Sequence, residues 1–325
     1  MFWDSEKSFI PCSRQQAAGS RQYPVTMNQQ PAISNRLDRI TFPQNMQTLL
    51  SILREIAEVP SFSSFEERLH PVVKANLETL NHVTWHHVPD NNLVAMLPGK
   101  ANRTPVALSA HLDKINHFGA FPPDILPLEM DEYKATGQLD DAAGLAILLE
   151  IARMSETRSF PPLMLLFSEM EEKFGLTHHP HLLKNKGEGL YNGMGAVRIS
   201  RYLIEQGQLP SCVMTVDTTP LFKGDPGVAL YSGHWEFSGE MPGEEERART
   251  GQVVQQMLAI DPHLKLTNNT NDYLHYGAEL NRDKQAAIPS LAIEPAIHPY
   301  HTLNESVFLK DLERVRNIIA SWLEQ

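Results

Sequence analysis

Apolar positions between residues 43 and 59 recur at helical spacing. Met46, Leu49, Leu50, Ile52, Leu53, Ile56 and Ala57 fall on one side, which predicts a helix there. Ser64, with Glu67 three residues on, has the form of an N-cap and capping box ahead of a second helix ending near Leu80. Six short apolar runs follow, at 92–97, 106–109, 163–167, 213–216, 228–231 and 290–293. Each has strand length and is bounded by Pro, Gly, Asn or Asp. Helical patterns lie between and after them, at about 141–154, 195–206, 244–259 and 308–324. In the last, Phe308, Leu312, Val315, Ile319 and Trp322 share one face. Strands alternating with helices predict an α/β fold with a mixed, largely parallel central sheet and helices on both faces. The Pro-rich stretch 121–127 and the His-, Lys- and Gly-rich stretch 177–195 read as long loops. Residues 15–35 show no period at all. Residues 1–40 are therefore expected to be a disordered extension, with Met27 an alternative start, and 41–325 a single domain.

Charge narrows the choice of partner. Lys and Arg number 28 against 39 Asp and Glu, a net −11. That balance argues against a nucleic-acid backbone or an anionic membrane surface, both of which need a basic face. Two cysteines far apart, Cys12 and Cys212, exclude a disulfide framework and a Cys-rich zinc module. No uninterrupted apolar run reaches the ~18 residues of a membrane span. The opening MFWDSEKSFIPCSRQQ has no basic segment followed by an apolar one, so the expected location is cytoplasmic. Fourteen histidines direct attention to metal sites.

The acidic and imidazole residues sit where predicted strands end. The run from Val106 leads to His111-Leu-Asp113, and the run from Leu163 to Ser168-Glu-Met-Glu171-Glu172. The run from Val213 leads to Asp217, and the run from Leu291 to His298-Pro-Tyr-His301. Open α/β sheets bind ligands beyond the carboxyl ends of their strands, so four such ends would converge on one crevice. Imidazoles and carboxylates without thiolates suit Zn²⁺, Mn²⁺ or Co²⁺. More than three donors suggests two ions sharing a bridging carboxylate. A fifth element, Gly137-Gln-Leu-Asp140-Asp141-Ala-Ala-Gly144, leads into an apolar helix. Its Asp pair can cap that helix or hold a metal, with Gly144 allowing close packing.

The order of these motifs resembles the co-catalytic metallopeptidases of families M28, M42 and M20. Their pattern of His-x-Asp, Asp-x-x-x-Gly, Glu-Glu, Asp and His reads here as His111-Leu-Asp113, Asp140 to Gly144, Glu171-Glu172, Asp217 and His301 with Glu305. Leu-Asp-Asp, Val-Asp-Thr-Thr and Tyr-His-Thr look most like M42. The domain economy looks like M28, because only residues 112–139 separate the first His from the bridging Asp. The 84 positions from Asp217 to His301 leave no room for the dimerisation domain of M20.

The resemblance implies a zinc-aminopeptidase-like fold and a di-metal aminopeptidase that removes N-terminal residues from peptides. Asp140 bridges two divalent ions, zinc first with manganese or cobalt as alternatives. His111 and Asp217 complete one site, Glu172 and His301 the other. Asp113 stands behind His111 and fixes its tautomer, and Glu171 is the general base for a water shared by the metals. A peptide or aminoacyl substrate, no nucleic acid or membrane, and a monomer or small homo-oligomer are implied as well.

Two departures bear on these roles. Lys173-Phe174-Gly175 makes the Glu-Glu motif one residue longer than usual, which leaves Glu169 as another base. His298 competes with His301, and His178, His179 and His181 are candidates for an extra metal patch. Loops at 118–133, 177–195, 233–243 and 273–283 are expected to wall the pocket, with Trp235, Phe237, Tyr273 and Arg282 as wall residues. The competing functions are an M20-like deacylase or dipeptidase acting on N-acyl amino acids or dipeptides, and a non-catalytic relative used for binding.

Overall fold

The computed structural model describes residues 44–120, 123–238, 241–268, 271–283 and 286–325. The expected extension over residues 1–40 lies outside them, as do residues 121 and 122 of the Pro-rich stretch. All described residues fall in one unit, residues 39–325.

The strands among them are β1 (Thr84–His86), β2 (Leu93–Leu97), β3 (Val106–His111), β4 (Glu129–Met130), β5 (Lys134–Gly137) and β6 (Leu163–Ser168). β7 (Val213–Val216), β8 (Val228–Tyr231), β9 (Lys265–Thr267), β10 (Ser290–Pro295) and β11 (Glu305–Phe308) follow. The helices are α1 (Gln44–Ala57), α2 (His70–Glu78), α3 (Ala142–Met154), α4 (Lys173–His178) and α5 (Met194–Glu205). After them come α6 (Trp235–Ser238), α7 (Glu244–Ile260), α8 (Asp272–Leu280) and α9 (Leu309–Leu323).

Eight strands form one sheet in the order β1-β2-β6-β3-β7-β10-β8-β9. β6, β3, β7 and β10 run parallel to their neighbours in that group, and β8 is parallel to β9. β1–β2, β2–β6 and β10–β8 are antiparallel, so the sheet is mixed with a parallel centre. Every residue of β3, β6, β7 and β10 is buried, as strands covered on both faces require. Alternation along the strands divides the core in two. Leu108, Ala110, Leu165, Phe167 and Met214 join α1, α3 and α9 on one face. Ala107, Met164, Leu166 and Val213 join Ile199 and Leu203 of α5 and Tyr276 of α8 on the other. A second, three-stranded sheet, β11-β5-β4, carries the segments that flank Asp140 and His301.

Three expectations change. Ser64 does not cap a helix: its backbone is left-handed (φ 70°), and its hydroxyl accepts the N–H of Lys184 at 3.0 Å. Its own N–H is taken by Glu66, and the chain instead makes a short 3₁₀ turn, Glu66–Leu69, before α2. Residues 273–283 are not a loop but mostly α8, capped by Asn271, whose side chain accepts the N–H of Tyr273 at 2.9 Å. The polar strands β1, β4, β5, β9 and β11 are too short or too weakly alternating to stand out in sequence. They exist because a neighbouring strand offers them a ladder.

Among the described residues no helix is long and apolar enough to cross a membrane.

Candidate metal centre

Four strand ends and one helix start deliver the acidic and imidazole groups to one place. β3 ends at His111, whose Nε2 lies 3.3 Å from Asp140 Oδ1 and 3.7 Å from Asp217 Oδ1. Asp217 is the first residue after β7. Asp140 precedes α3, and its second oxygen lies 3.7 Å from His301 Nε2. His301 Nε2 is also 3.4 Å from Glu172 Oε2. Asp140 thus stands between the two imidazoles, with Asp217 beside one and Glu172 beside the other. Two overlapping sets, His111–Asp140–Glu172 and His111–Asp141–Asp217, each hold donor atoms within 4.8 Å of one another.

The supports of this cluster are local and specific. Asp141 caps α3, accepting the N–H of Gly144 at 2.7 Å. A β-carbon on Gly144 would lie 2.4 Å from both oxygens of Asp141 and from the carbonyl of Val216, so only glycine lets α3 approach β7. Glu305 Oε2 accepts the N–H groups of Leu139 and Asp140, at 2.8 and 3.1 Å, and so holds the turn that presents Asp140. Asp113 accepts the N–H of Glu171 at 2.9 Å, the N–H of Glu172 at 3.2 Å and the hydroxyl of Ser63 at 2.8 Å. The closer partner of His111 Nδ1 is the main-chain carbonyl of Asp113, at 3.0 Å, while the Asp113 carboxylate is 3.4 Å away. Asp113 thus lies behind His111 with both its carbonyl and its carboxylate. Met170 and His301 both adopt left-handed backbone, at φ 56° and 53°. Each non-glycine residue there costs about 1–2 kcal/mol.

Burial without counter-charge dominates the electrostatics. Desolvation, then the neighbouring Asp217 charge, raises the pKa of Asp140 and of Asp141. Burial raises Glu171 and Glu172 well above the carboxylate range, and their acidic neighbours push in the same direction. Burial opposes the charge on His111, but Asp113, Asp140 and Asp217 outweigh it and raise its pKa. Burial also opposes the charge on Asp113, and there His111 and the donated hydrogen bonds win and lower it. Burial, then His117, lowers His301 to about 4, so its imidazole is neutral at pH 7. His301 Nε2, Glu172 Oε1 and Asp141 Oδ2 are buried with no hydrogen-bond partner. A buried, acidic set with free donor atoms fits divalent cations, which supply the missing charge.

Several expected contributors are elsewhere. Glu169 is bound by Asn92 and Arg198 through one oxygen and by the N–H of Asn91 through the other, so it anchors the turn. His298 is exposed and lies against Gly224, outside the cluster. Tyr273 is fully buried beside Tyr231 and is no pocket wall. Arg282 pairs with Glu279 on the surface. Trp235 is half-buried edge-on to His234, and the side chain of Phe237 lies outside the described residues.

Sequence reasoning missed a second layer. Asp272, at the start of α8, accepts the Ser168 hydroxyl, and burial raises its pKa. Glu294 of β10 accepts the Asn271 amide. Lys114 is buried with its ammonium on the carbonyls of Ile56 and Val59, at 2.9 and 2.7 Å, and burial lowers its pKa to about 7. A signal for Asp272 existed only in register, since Ser168 pairs with His111 across β3 and β6.

The model of peptidase family M28 matches residues 92–198, about a third of the chain, including His111, Asp140 and the Glu171–Glu172 pair. No curated protein sequence matches the chain. Solved structures share its fold at low identity. A TET aminopeptidase from a marine-sediment Thaumarchaeota archaeon aligns at 13% identity and TM-score 0.62, covering 86% of this chain and 97% of its own. The TET1 peptidase of Pyrococcus horikoshii, described as assembling into a tetrahedron or a large octahedral shell, aligns at 13% and 0.57, covering 85% and 99%. Aminopeptidase PepT of Bacillus cereus aligns at 12% and 0.57, covering 86% and 98%. The resemblance read from the motifs thus stands. With the M28 segment in this fold, the chain is a metal-dependent peptidase.

Proposed function

We propose that the protein is a di-metal aminopeptidase that hydrolyses N-terminal residues of peptides. The observation that carries this reading is Asp140. Its two oxygens face different imidazoles, His111 at 3.3 Å and His301 at 3.7 Å, which is the layout of a bridging carboxylate. His111 and Asp217 would hold one ion, and Glu172 and His301 the other. Zinc is the first expectation, with manganese or cobalt accepted by the same donors. When bound, such a pair supplies Lewis acidity, polarising a carbonyl and acidifying water.

The residues of the chain do the rest. Glu171 is partly exposed beside the cluster, and its main chain is fixed by Asp113. In this reading it takes a proton from water and returns it to the leaving amine. Asp113 orients His111 and holds the Glu171–Glu172 turn. A homo-oligomer is expected as well, since the TET1 relative assembles, and light scattering on a sizing column reads its mass.

Metal analysis of the purified protein, beside hydrolysis of aminoacyl-p-nitroanilides with Zn²⁺, Mn²⁺ or Co²⁺, tests the proposal. About two ions per chain with turnover of unblocked substrates is the expected result. Turnover of N-acyl substrates alone would replace it with the deacylase reading, and an inert, metal-free protein would overturn both.

A further inference from the structure

Beside the acidic cluster lies a second set of imidazoles that the peptidase reading does not use. Phe174 separates the two. Its ring stacks on His301, with centroids 5.9 Å apart, and on His178 at 4.9 Å. Beyond it, His178 meets His117 at 5.8 Å and His179 at 4.2 Å, and His179 meets His181 at 5.9 Å. The rings come from two segments brought together only by folding: the loop after β3 carries His117, and α4 with the turn after it carries the others. None of the four imidazoles hydrogen-bonds to a described residue.

Free imidazoles gathered this closely have a specific chemistry. Four tetrahedral ligands at a Zn–N distance of about 2.0–2.1 Å place all six ring-centroid pairs about 5 Å apart, and three of those pairs lie at 4.2–5.9 Å here. Burial, then His178 and His179, lowers His117 to about 4, so its lone pair is available at neutral pH. The ring of His179 lies over Gly119, where a β-carbon would sit 3.2 Å from Nε2, and it borders a cavity of about 30 Å³, room for a water beside the ring. The ring nitrogens do not yet meet at one point, since neither close donor set contains them. Turning exposed rings about χ2 is the adjustment binding would require, and His178 and His181 are exposed.

We propose that His117, His178 and His179, with His181 as a fourth donor, form an additional binding site for a borderline divalent metal such as Zn²⁺, distinct from the carboxylate-rich centre. Imidazole donors without carboxylates select Zn²⁺, Ni²⁺ or Cu²⁺ over Mg²⁺ or Mn²⁺. The pair around Asp140 is the opposite kind of site, so the two differ in the ions they retain.

Equilibrium dialysis of the full chain against Zn²⁺, followed by elemental analysis, tests this with four proteins. They are the wild type, Asp140→Ala, the double variant His178→Ala/His179→Ala, and the triple combination. The proposal expects the double variant to bind one zinc fewer than the wild type. It also expects Asp140→Ala to keep an ion that the triple combination loses. A repeat with Mn²⁺ should show no difference between the wild type and the double variant. Equal zinc in the wild type and double variant would overturn the extra site. Unchanged zinc in Asp140→Ala would instead overturn the bridging assignment, so the two readings fail separately. His178 and His179 lie outside the protein's core, so circular dichroism of the double variant should match the wild type; a changed spectrum with wild-type zinc content would also count against the site.

Discussion

The main-chain N–H of Glu171 donates to the carboxylate of Asp113 at 2.9 Å. That one bond ties the end of β3, which presents His111, to the turn that presents the Glu pair. The candidate base and one candidate metal ligand are therefore held by the same carboxylate.

Glu171→Gln removes proton acceptance while keeping shape and neighbours. Turnover should fall by about 10²–10⁴-fold, the usual contribution of a general base, with metal content unchanged. Glu169→Gln should do far less to the rate at equal metal loading, because Glu169 is spent on Arg198, Asn91 and Asn92. Steady-state kinetics of both variants, with elemental analysis, decides between the two glutamates.

Asp140→Ala should lose both ions of the acidic centre together, since Asp140 is the group facing both imidazoles. Calorimetric titration with Zn²⁺ reads this. Retention of a tight pair would refute the bridging role.

Glu305→Ala leaves the buried N–H groups of Leu139 and Asp140 without their acceptor. An unmet buried donor costs about 1–3 kcal/mol, so urea unfolding should show a loss of at least that order. Glu305→Gln keeps a carbonyl acceptor and should recover much of it.

Gly144→Ala forces a methyl group against Asp141 and the carbonyl of Val216, at 2.4 Å. Backbone cannot give way as a side-chain tip can. A loss of about 1–3 kcal/mol is expected from urea unfolding, together with weaker metal binding through the displaced Asp pair.

Metal stabilisation should grow with pH. In the metal-free fold, burial raises Glu172 above the carboxylate range, and Glu305 to about 8. A raised acid contributes stability below its unfolded pKa, about 4.3, which is lost as pH rises through the folded value. A bound cation favours the charged carboxylates and offsets that loss, and ligand protons leave on binding. The zinc-induced increase in melting temperature, measured by scanning fluorimetry, should therefore be larger at pH 8 than at pH 5. A larger increase at pH 5 would contradict the assignment of these carboxylates.

Three of the motifs were legible because their polar residues directly follow an apolar run, at His111, Glu171–Glu172 and Asp217, while the Asp140 motif stands just before an apolar helix. Position in the chain nominated the strand-end acids and imidazoles as a group, and the family resemblance singled out His111, Asp140, Glu172, Asp217 and His301 among them. Position alone was not enough to separate His301 from His298, three residues apart on one loop. Folding sets His301 Nε2 3.4 Å from Glu172 and 3.7 Å from Asp140 and turns His298 toward Gly224, and neither placement is written locally.

The sequence by itself determined the alternation of strands and helices, the two-faced burial of β3, β6, β7 and β10, and the acidic chemistry at their ends. Hydrophobic period and strand-end composition are local quantities. Tertiary structure alone decided which groups meet. Glu305 reaches the Asp140 turn from 165 residues away, and Asp272 reaches Ser168 across 104. It also recruited the short polar strands, made α8 out of a segment that reads as loop, and gathered His117 with three histidines some sixty positions downstream. Those outcomes depend on contact between distant segments, which the order of residues encodes only through the whole packed core.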